Sequence, residues 1–157
     1  MSRLGKNLAV SFVPGGVQEV TLTDPNKPNE IILFLKKRKG FIKIALKTGS
    51  PIVPVFSFGL VGCYKYYLPQ GKLMTKFARL IGFLPVIFWG RFGIPMGIPH
   101  PNLITLVFGE VIQVPKEEEP TQESIDKYHA LVVTRMEELF ERHKEKYGYS
   151  DRTLKIV

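Results

Sequence analysis

The order of structural signals along the chain predicts one α/β domain over residues 1–157, with a mixed sheet flanked by helices. Short apolar runs at Leu8–Val13 and Ile52–Phe58 have the length of buried strands. Between them, residues 39–48 carry apolar side chains at helical spacing, so the order is strand, helix, strand. A long amphipathic segment near the C-terminus predicts a long final helix.

The first strand runs directly into Pro14, which indicates a tight turn. In the first helix the spacing of Phe41, Ile44, Ala45 and Thr48 sets the expected apolar face, and Gly49 is expected as its C-cap. After it, Pro54 favours an edge or bulge position for the strand at Ile52–Phe58. Two further strands are expected at Leu103–Phe108 and Val111–Val114.

The final helix has the clearest pattern. Thr121 is the expected N-cap, and Glu123 and Asp126 suit its first turn because carboxylates favour the positive end of a helix. Gly148 is expected to close it. One face stays apolar along the helix; its members are Ile125, Tyr128, Val132, Met136, Leu139, Phe140 and His143.

Charge is distributed unevenly. Residues 1–100 hold 14 Lys and Arg against 3 Asp and Glu, whereas residues 101–157 hold 8 against 11. The basic portion predicts a partner with negative charge, such as nucleic acid, anionic lipid headgroups or a polyanionic cofactor. The single Cys63 excludes an internal disulfide, and the three histidines do not have the spacing of metal ligands, so no metal site is expected.

No segment of the sequence is expected to cross a bilayer. The most apolar stretch, Leu80–Gly90, has eleven residues and contains Pro85, whereas a spanning helix needs about twenty. No signal or transit peptide is expected at the N-terminus. Any membrane attachment is therefore expected at the surface or outside this chain.

A glycine turn with a carboxylate follows the first strand. Pro14, Gly15 and Gly16 allow a tight reversal and close approach of a ligand, and Gln18 and Glu19 come directly after it. The alternative is an ordinary β-turn with a solvated glutamate, and most short glycine motifs are of that kind.

A run of four cations, Lys36–Lys39, precedes Gly40 and the first helix. Cations are unfavourable at a helix N-terminus, so their presence suggests a bound anion shared by the side chains and the free amides. A solvated basic turn or a nuclear-localisation-like run is the alternative. His100, beside Pro101, is expected to be a surface residue rather than a general base, because no carboxylate near it in the sequence would orient it.

Taken together, seven collinear blocks resemble the diacylglycerol acyltransferase type 2 family, with plant and algal members as the nearest in character. They begin with VPGGVQE and FLKKRKGFIKIALKTGSPIVPVFSFG and span nearly the whole chain. The others are YKYYLPQGKL, FARLIGFLPVIFWGRFGIP, VFGEVIQVPK, PTQESIDKYH and LFERHKEKYGY.

The resemblance implies a glycerolipid-acyltransferase-like fold and transfer of an acyl group from acyl-CoA to diacylglycerol, making triacylglycerol. Relatives acylate monoacylglycerols or fatty alcohols. It implies location at the cytosolic face of the endoplasmic reticulum membrane, or at lipid droplets. The family's catalytic His-Pro-His-Gly motif and its N-terminal membrane hairpin do not occur in residues 1–157. No catalytic residue is therefore assigned, and the chain is expected to be an N-terminally incomplete portion that is inactive alone.

The resemblance also implies roles for the two candidate sites. Pro14, Gly15, Gly16, Gln18 and Glu19 would form the acceptor-side turn, where Gln18 replaces the arginine of phosphate-binding relatives and so suits a neutral acceptor. The CoA phosphates or lipid headgroups would be held by Lys37, Arg38, Lys39 and Gly40, with Arg91 as a weaker candidate.

Acyl-CoA is implied as co-substrate and no cofactor is expected. Leu80–Trp89 would supply apolar walls for the oily acceptor. A noncatalytic basic membrane-binding module is the rival interpretation, and a homo-oligomer remains open. Nucleic acid is disfavoured as a partner because aromatic residues are not interleaved with the basic run.

Overall fold

The computed structural model describes residues 9–15, 29–60, 63–67, 87–95 and 97–157, and this part of the chain contains two helices and six strands. The helices are α1 (Gly40–Thr48) and α2 (Gln122–His143). The strands are β1 (Glu30–Leu33), β2 (Val55–Phe58), β3 (Lys65–Tyr67), β4 (Ile87–Trp89), β5 (Thr105–Phe108) and β6 (Thr153–Ile156). The α/β class and the long C-terminal helix are confirmed.

The strands pair in three two-stranded sheets of mixed direction. β1 and β6 are parallel, so the chain returns from its C-terminal end to the strand that precedes α1. β2–β5 and β3–β4 are antiparallel. Pro54 lies just before β2, where its carbonyl accepts a hydrogen bond from Gly109 N at 2.8 Å, and in the described residues β2 pairs only with β5, as an edge position requires.

Helix α1 ends as the sequence predicts, but it buries a different face. Gly49 adopts φ 66°, a left-handed conformation, and its N–H caps the carbonyls of Ala45 and Leu46. The buried residues are Ile42, Ala45 and Leu46, whereas Ile44 is 65% exposed. The expected face was wrong because Phe41, Ile42, Ala45 and Leu46 fit a helical stripe as well as the chosen set, and only the position of α2 decides between them.

Helix α2 begins as predicted, since the Thr121 hydroxyl accepts a hydrogen bond from Ser124 N at 3.1 Å. It ends at His143 rather than at Gly148. Gly148 has φ 74° but lies in a separate turn, where Tyr149 N donates to the Lys144 carbonyl at 2.7 Å. The predicted apolar face is confirmed at its buried members, which are Ile125, Val132, Leu139 and Phe140.

Two hydrophobic clusters pack along α2. The first joins α1 to α2 and β6; its buried members are Leu35, Ile42, Ala45, Leu46, Ile112, Val114, Ile125, Val132 and Ile156. The second, here the aromatic cluster, consists of Phe56, Phe58, Leu139, Phe140 and Tyr149. Because α2 contributes to both, it is the element that unites the described core.

The strands differ from the sequence-based expectation in three places. Residues 9–13 form no strand, and Val10, Phe12 and Val13 are exposed. Residues 111–114 contribute only an isolated bridge between Ile112 and Ile52. β6 was not expected at all. A strand needs a hydrogen-bonding neighbour, and an apolar run in a sequence does not identify one.

Candidate functional site

The basic turn, defined here as Lys36–Gly40, connects β1 to α1, and hydrogen bonds to Val157 fix the backbone at its entrance. Leu35 N and Lys36 N both donate to the Val157 carbonyl, at 3.0 and 2.9 Å, and Arg38 N donates to the Leu35 carbonyl at 2.9 Å. These bonds satisfy the amides at the entrance of the turn and leave its side chains to face outward. Lys36, Lys37 and Arg38 are all exposed.

Lys39 is used differently from its neighbours. Its Nζ lies 2.8 Å from Asp126 Oδ1 on α2, and Gln122 Nε2 donates to the same oxygen at 2.8 Å. The hydrogen bond from Lys39, followed by that from Gln122, lowers the pKa of Asp126 below its ordinary value. Lys39 therefore anchors the turn to α2, and its role as a phosphate ligand beside Lys37 stays a prediction.

His129 provides a second link between the same two elements. It is the one buried polar or charged residue in the described core, and its Nε2 lies 3.0 Å from the Leu35 carbonyl oxygen. Nε2 must carry the proton for this contact to be a hydrogen bond. His129 thus makes a contact between α2 and the residue that precedes the basic turn.

The N-terminus of α1 supplies the remaining features of an anion site. Its first turn has no acidic residue, and Lys39 at the N-cap makes no side-chain cap. Nothing lies within 4 Å of the point where a side chain on Gly40 would begin. The Arg38 guanidinium lies 5.3 Å from the centre of the Phe34 ring. The positive end of the α1 backbone and the exposed cations thus lie next to one another at the surface.

Lys36 and Lys37 have no side-chain ion pair or hydrogen bond within the part of the chain that the structure describes. They and Arg38 are the cations that this surface offers to a ligand. Sequence reasoning missed the two residues that position the turn, Asp126 and His129, because they lie on α2 and only the fold brings them to it.

The glycine turn is only partly within the described residues. Pro14 is half-buried and Gly15 is buried, whereas Gly16, Gln18 and Glu19 lie outside them. The acceptor-side role of these five residues therefore stays a prediction. The same holds for most of the apolar wall, of which residues 87–89 form β4.

Arg91 and His100 lie outside the basic turn. Arg91 is exposed in a short 3₁₀ turn, where its N–H donates to the Ile98 carbonyl at 2.7 Å and its guanidinium lies over Phe92. His100 N donates to the Cys63 carbonyl at 2.8 Å. Over the described ranges none of the contacts of Arg91 reaches the basic turn, and no carboxylate hydrogen-bonds His100.

The described residues contain neither a metal site nor a membrane-spanning helix. No group of three or more His, Cys, Asp or Glu side chains is arranged to hold a metal ion. Neither described helix is long and apolar enough to span a membrane.

Comparison with known proteins identifies the family. A family model described as diacylglycerol acyltransferase matches residues 1–157. Mouse diacylglycerol O-acyltransferase 2 is 40% identical over 94% of this chain and 40% of its own length. Human acyl-CoA wax alcohol acyltransferase 1 is 37% identical over 94% of this chain and 46% of its own.

Human 2-acylglycerol O-acyltransferase 3 is 39% identical, over 89% of this chain and 43% of its own length. The chain thus spans less than half the length of these curated relatives. No solved structure matches it. The match to the family model over every residue, together with these identities, shows that the chain belongs to the diacylglycerol acyltransferase family of transferases.

Proposed function

We propose that this chain is the acyl-CoA-binding portion of an O-acyltransferase that makes triacylglycerol from diacylglycerol at the cytosolic face of the endoplasmic reticulum membrane. The observation that carries the proposal is the basic turn, a set of outward cations at a helix N-terminus in a chain of this family. Acyl-CoA carries three phosphate groups, and phosphate is the anion that a helix N-terminus with adjacent Lys and Arg favours.

In this mechanism the basic turn binds and orients the donor. Lys37 and Arg38 pair with phosphate oxygens, and Lys39 holds the turn at α2 through Asp126. Removal of the proton from the acceptor hydroxyl requires a general base, which we place in a segment outside residues 1–157. A glycerolipid-acyltransferase-like arrangement of the complete domain, with the glycine turn near the acceptor, belongs to the same proposal.

Binding of oleoyl-CoA tests the donor site. Replacing Lys37 and Arg38 with Gln should weaken the affinity about tenfold at low salt, because two partly solvated charge contacts are lost. Lys39 is left intact because its loss would also release the turn from Asp126. Calorimetric titration measures the effect, and adenosine 3′,5′-bisphosphate should compete for the wild-type site.

The matched control replaces Lys43 and Lys47, two exposed cations of the same helix, with Gln. This variant loses the same charge but not the turn, so its affinity should stay within about twofold of wild type. Equal weakening in both variants would refute the site and leave only general attraction to a basic protein.

The acceptor is tested in a chimera. Residues 1–157 replace the matching part of mouse diacylglycerol O-acyltransferase 2, and the product is assayed with oleoyl-CoA and each of three acceptors. We expect diacylglycerol to be preferred. Relatives named for wax alcohol and 2-acylglycerol acylation are nearly as similar to this chain, so preference for a long-chain alcohol or a monoacylglycerol would replace the proposed acceptor.

A further inference from the structure

The hairpin lobe, defined as β3, β4 and residues 90–95, 97 and 98, exposes several large apolar side chains. Tyr67 and Ile87 are directly paired across the two strands, and both have more than half of their side-chain surface in solvent. In the turn, Phe92 is 77% exposed, and Ile94 and Ile98 are more than half exposed. Large apolar side chains concentrated on one surface element mark an interaction site.

The backbone holds Phe92 in this outward position. Phe92 has φ 69°, a left-handed conformation that non-glycine residues seldom adopt, and Gly93 follows it with φ 70°. The bond from Arg91 N to the Ile98 carbonyl closes the turn at 2.7 Å. Gly90 lets the same carbonyl approach, because a Cβ at this position would overlap it. An aromatic residue kept in a strained conformation and in solvent suggests a function for that ring.

Charge identifies the kind of partner. Between Glu30 and Glu110 the sequence contains no Asp or Glu, but it contains eleven Lys and Arg. Lys65 and Arg91 lie in the lobe itself and are exposed. The partner surface is therefore anionic. It is also apolar beneath its charges, because aliphatic side chains such as Ile94 and Ile98 gain nothing from a nucleic acid backbone.

We propose that the hairpin lobe inserts into the interfacial region of an anionic phospholipid membrane. Phe92 and Ile94 enter the boundary between headgroups and acyl chains, and Arg91 stays at the level of the phosphates. Attachment of the hairpin lobe to a membrane does not depend on whether the chain transfers acyl groups.

The chain carries its own reporter for the test. Trp89, in β4, is the single tryptophan of the sequence and lies three residues before Phe92. Vesicles containing about one-third phosphatidylserine in phosphatidylcholine should shift its fluorescence to shorter wavelength, and lipids brominated high on their acyl chains should quench it. Vesicles of phosphatidylcholine alone should bind more weakly.

The variant Phe92→Asn removes the ring but keeps a residue that tolerates left-handed angles, so the turn is retained. We expect vesicle affinity to fall about tenfold and bromolipid quenching to be lost. Phe108→Asn is the matched control, since Phe108 is 67% exposed on β5, outside the lobe; its affinity should stay within about twofold.

Four results would overturn the proposal. These are no binding to either vesicle, binding without bromolipid quenching, no change in Phe92→Asn, and an equal loss in Phe108→Asn. Binding without quenching that is lost in Lys37→Gln/Arg38→Gln would instead assign adsorption to the basic turn. Oleoyl-CoA binding is measured without vesicles, so failure of one proposal does not imply failure of the other.

Discussion

Two regions of the described structure, α2 and the hairpin lobe, use similar apolar side chains in opposite ways. On the inner face of α2 they are buried, and Phe140 has no exposed surface. In the hairpin lobe they face solvent, and Phe92 is 77% exposed. The apolar side chains of α2 pack against other residues in the two hydrophobic clusters, whereas those of the hairpin lobe are available to a partner. Apolar content alone therefore does not distinguish a residue that stabilises this fold from one that is available for binding.

The largest expected effect on stability is that of removing the buried ring of Phe140 on α2. Phe140→Ala should lower the free energy of unfolding by about 3–5 kcal/mol, because a fully buried ring leaves a cavity. The ring centre of Phe140 lies 5.2 Å from that of Phe56 and 6.0 Å from that of Phe58, so both lose a partner. Urea unfolding followed by circular dichroism measures the change.

Phe108→Ala is the control for that measurement. It removes the same ring from an exposed position on β5, so we expect a loss below about 1 kcal/mol. A loss equal to that of Phe140→Ala would break the distinction between buried and exposed faces, because it would show that the outer side of the β2–β5 ribbon is covered in solution.

Replacing either of two glycines with positive φ should have an intermediate effect on stability. Gly59 has φ 91°, and a Cβ on it would overlap the Leu103 carbonyl oxygen. Gly93, in the hairpin lobe, has φ 70° but nothing within 4 Å of that position. Gly93→Ala should cost about 1 kcal/mol from the backbone conformation alone. Gly59→Ala should cost about 2 kcal/mol or more, because the backbone must also shift.

The difference between these two variants, measured by urea unfolding, separates conformational strain from close packing. If Gly93→Ala is the more damaging, the lobe is as tightly packed as the rest of the described structure. The hairpin lobe and the α2 region would then not differ in packing.

The smallest expected effect is on the pH dependence of stability. The pKa of Asp126 is lowered mainly by its hydrogen bond from Lys39. A carboxylate whose pKa is lower in the folded state stabilises the fold above its unfolded pKa, and this contribution is lost as the pH falls through the folded pKa. Wild type should therefore exceed Asp126→Asn in stability at pH 7, and the small difference should disappear as the pH falls through the lowered pKa of Asp126.

Urea midpoints between pH 7 and pH 2.5 follow the difference. In a Lys39→Gln background the same Asp126→Asn change should have a smaller effect at pH 7, because the main cause of the shift is gone. An Asp126→Asn effect that is independent of pH would disprove the assigned ion pair.

Much of the helical structure could be predicted from local chemistry. Thr121 and Gly49 cap helices because a hydroxyl and a left-handed glycine satisfy orphan backbone groups wherever they occur. The strands were harder to predict. Residues 9–13 have the apolar content of a strand yet lie exposed, whereas Thr153–Ile156 forms one beside β1. Pairing over such a distance leaves no local signal.

The candidate site shows the same division. The cluster of cations at Lys36–Lys39 was visible in the sequence because like charges at a helix start need a reason. The different role of Lys39 was not visible, since its partner Asp126 is 87 residues away. The contact of His129 with the Leu35 carbonyl was not visible either, because the two residues are brought together only by the fold.

The parallel pairing of β1 with β6 has a consequence for synthesis of the protein. The Val157 carbonyl accepts hydrogen bonds from Leu35 N and Lys36 N, so the entrance to the basic turn acquires these bonds only after residue 157 has been synthesised and has left the ribosome. Bringing together two segments so far apart in sequence is slow, because the entropy of closing the intervening chain is lost before any contact compensates for it. A nascent chain that lacks β6 and Val157 therefore has no such bonds at the basic turn, and the turn can be fixed in one arrangement only after they are added.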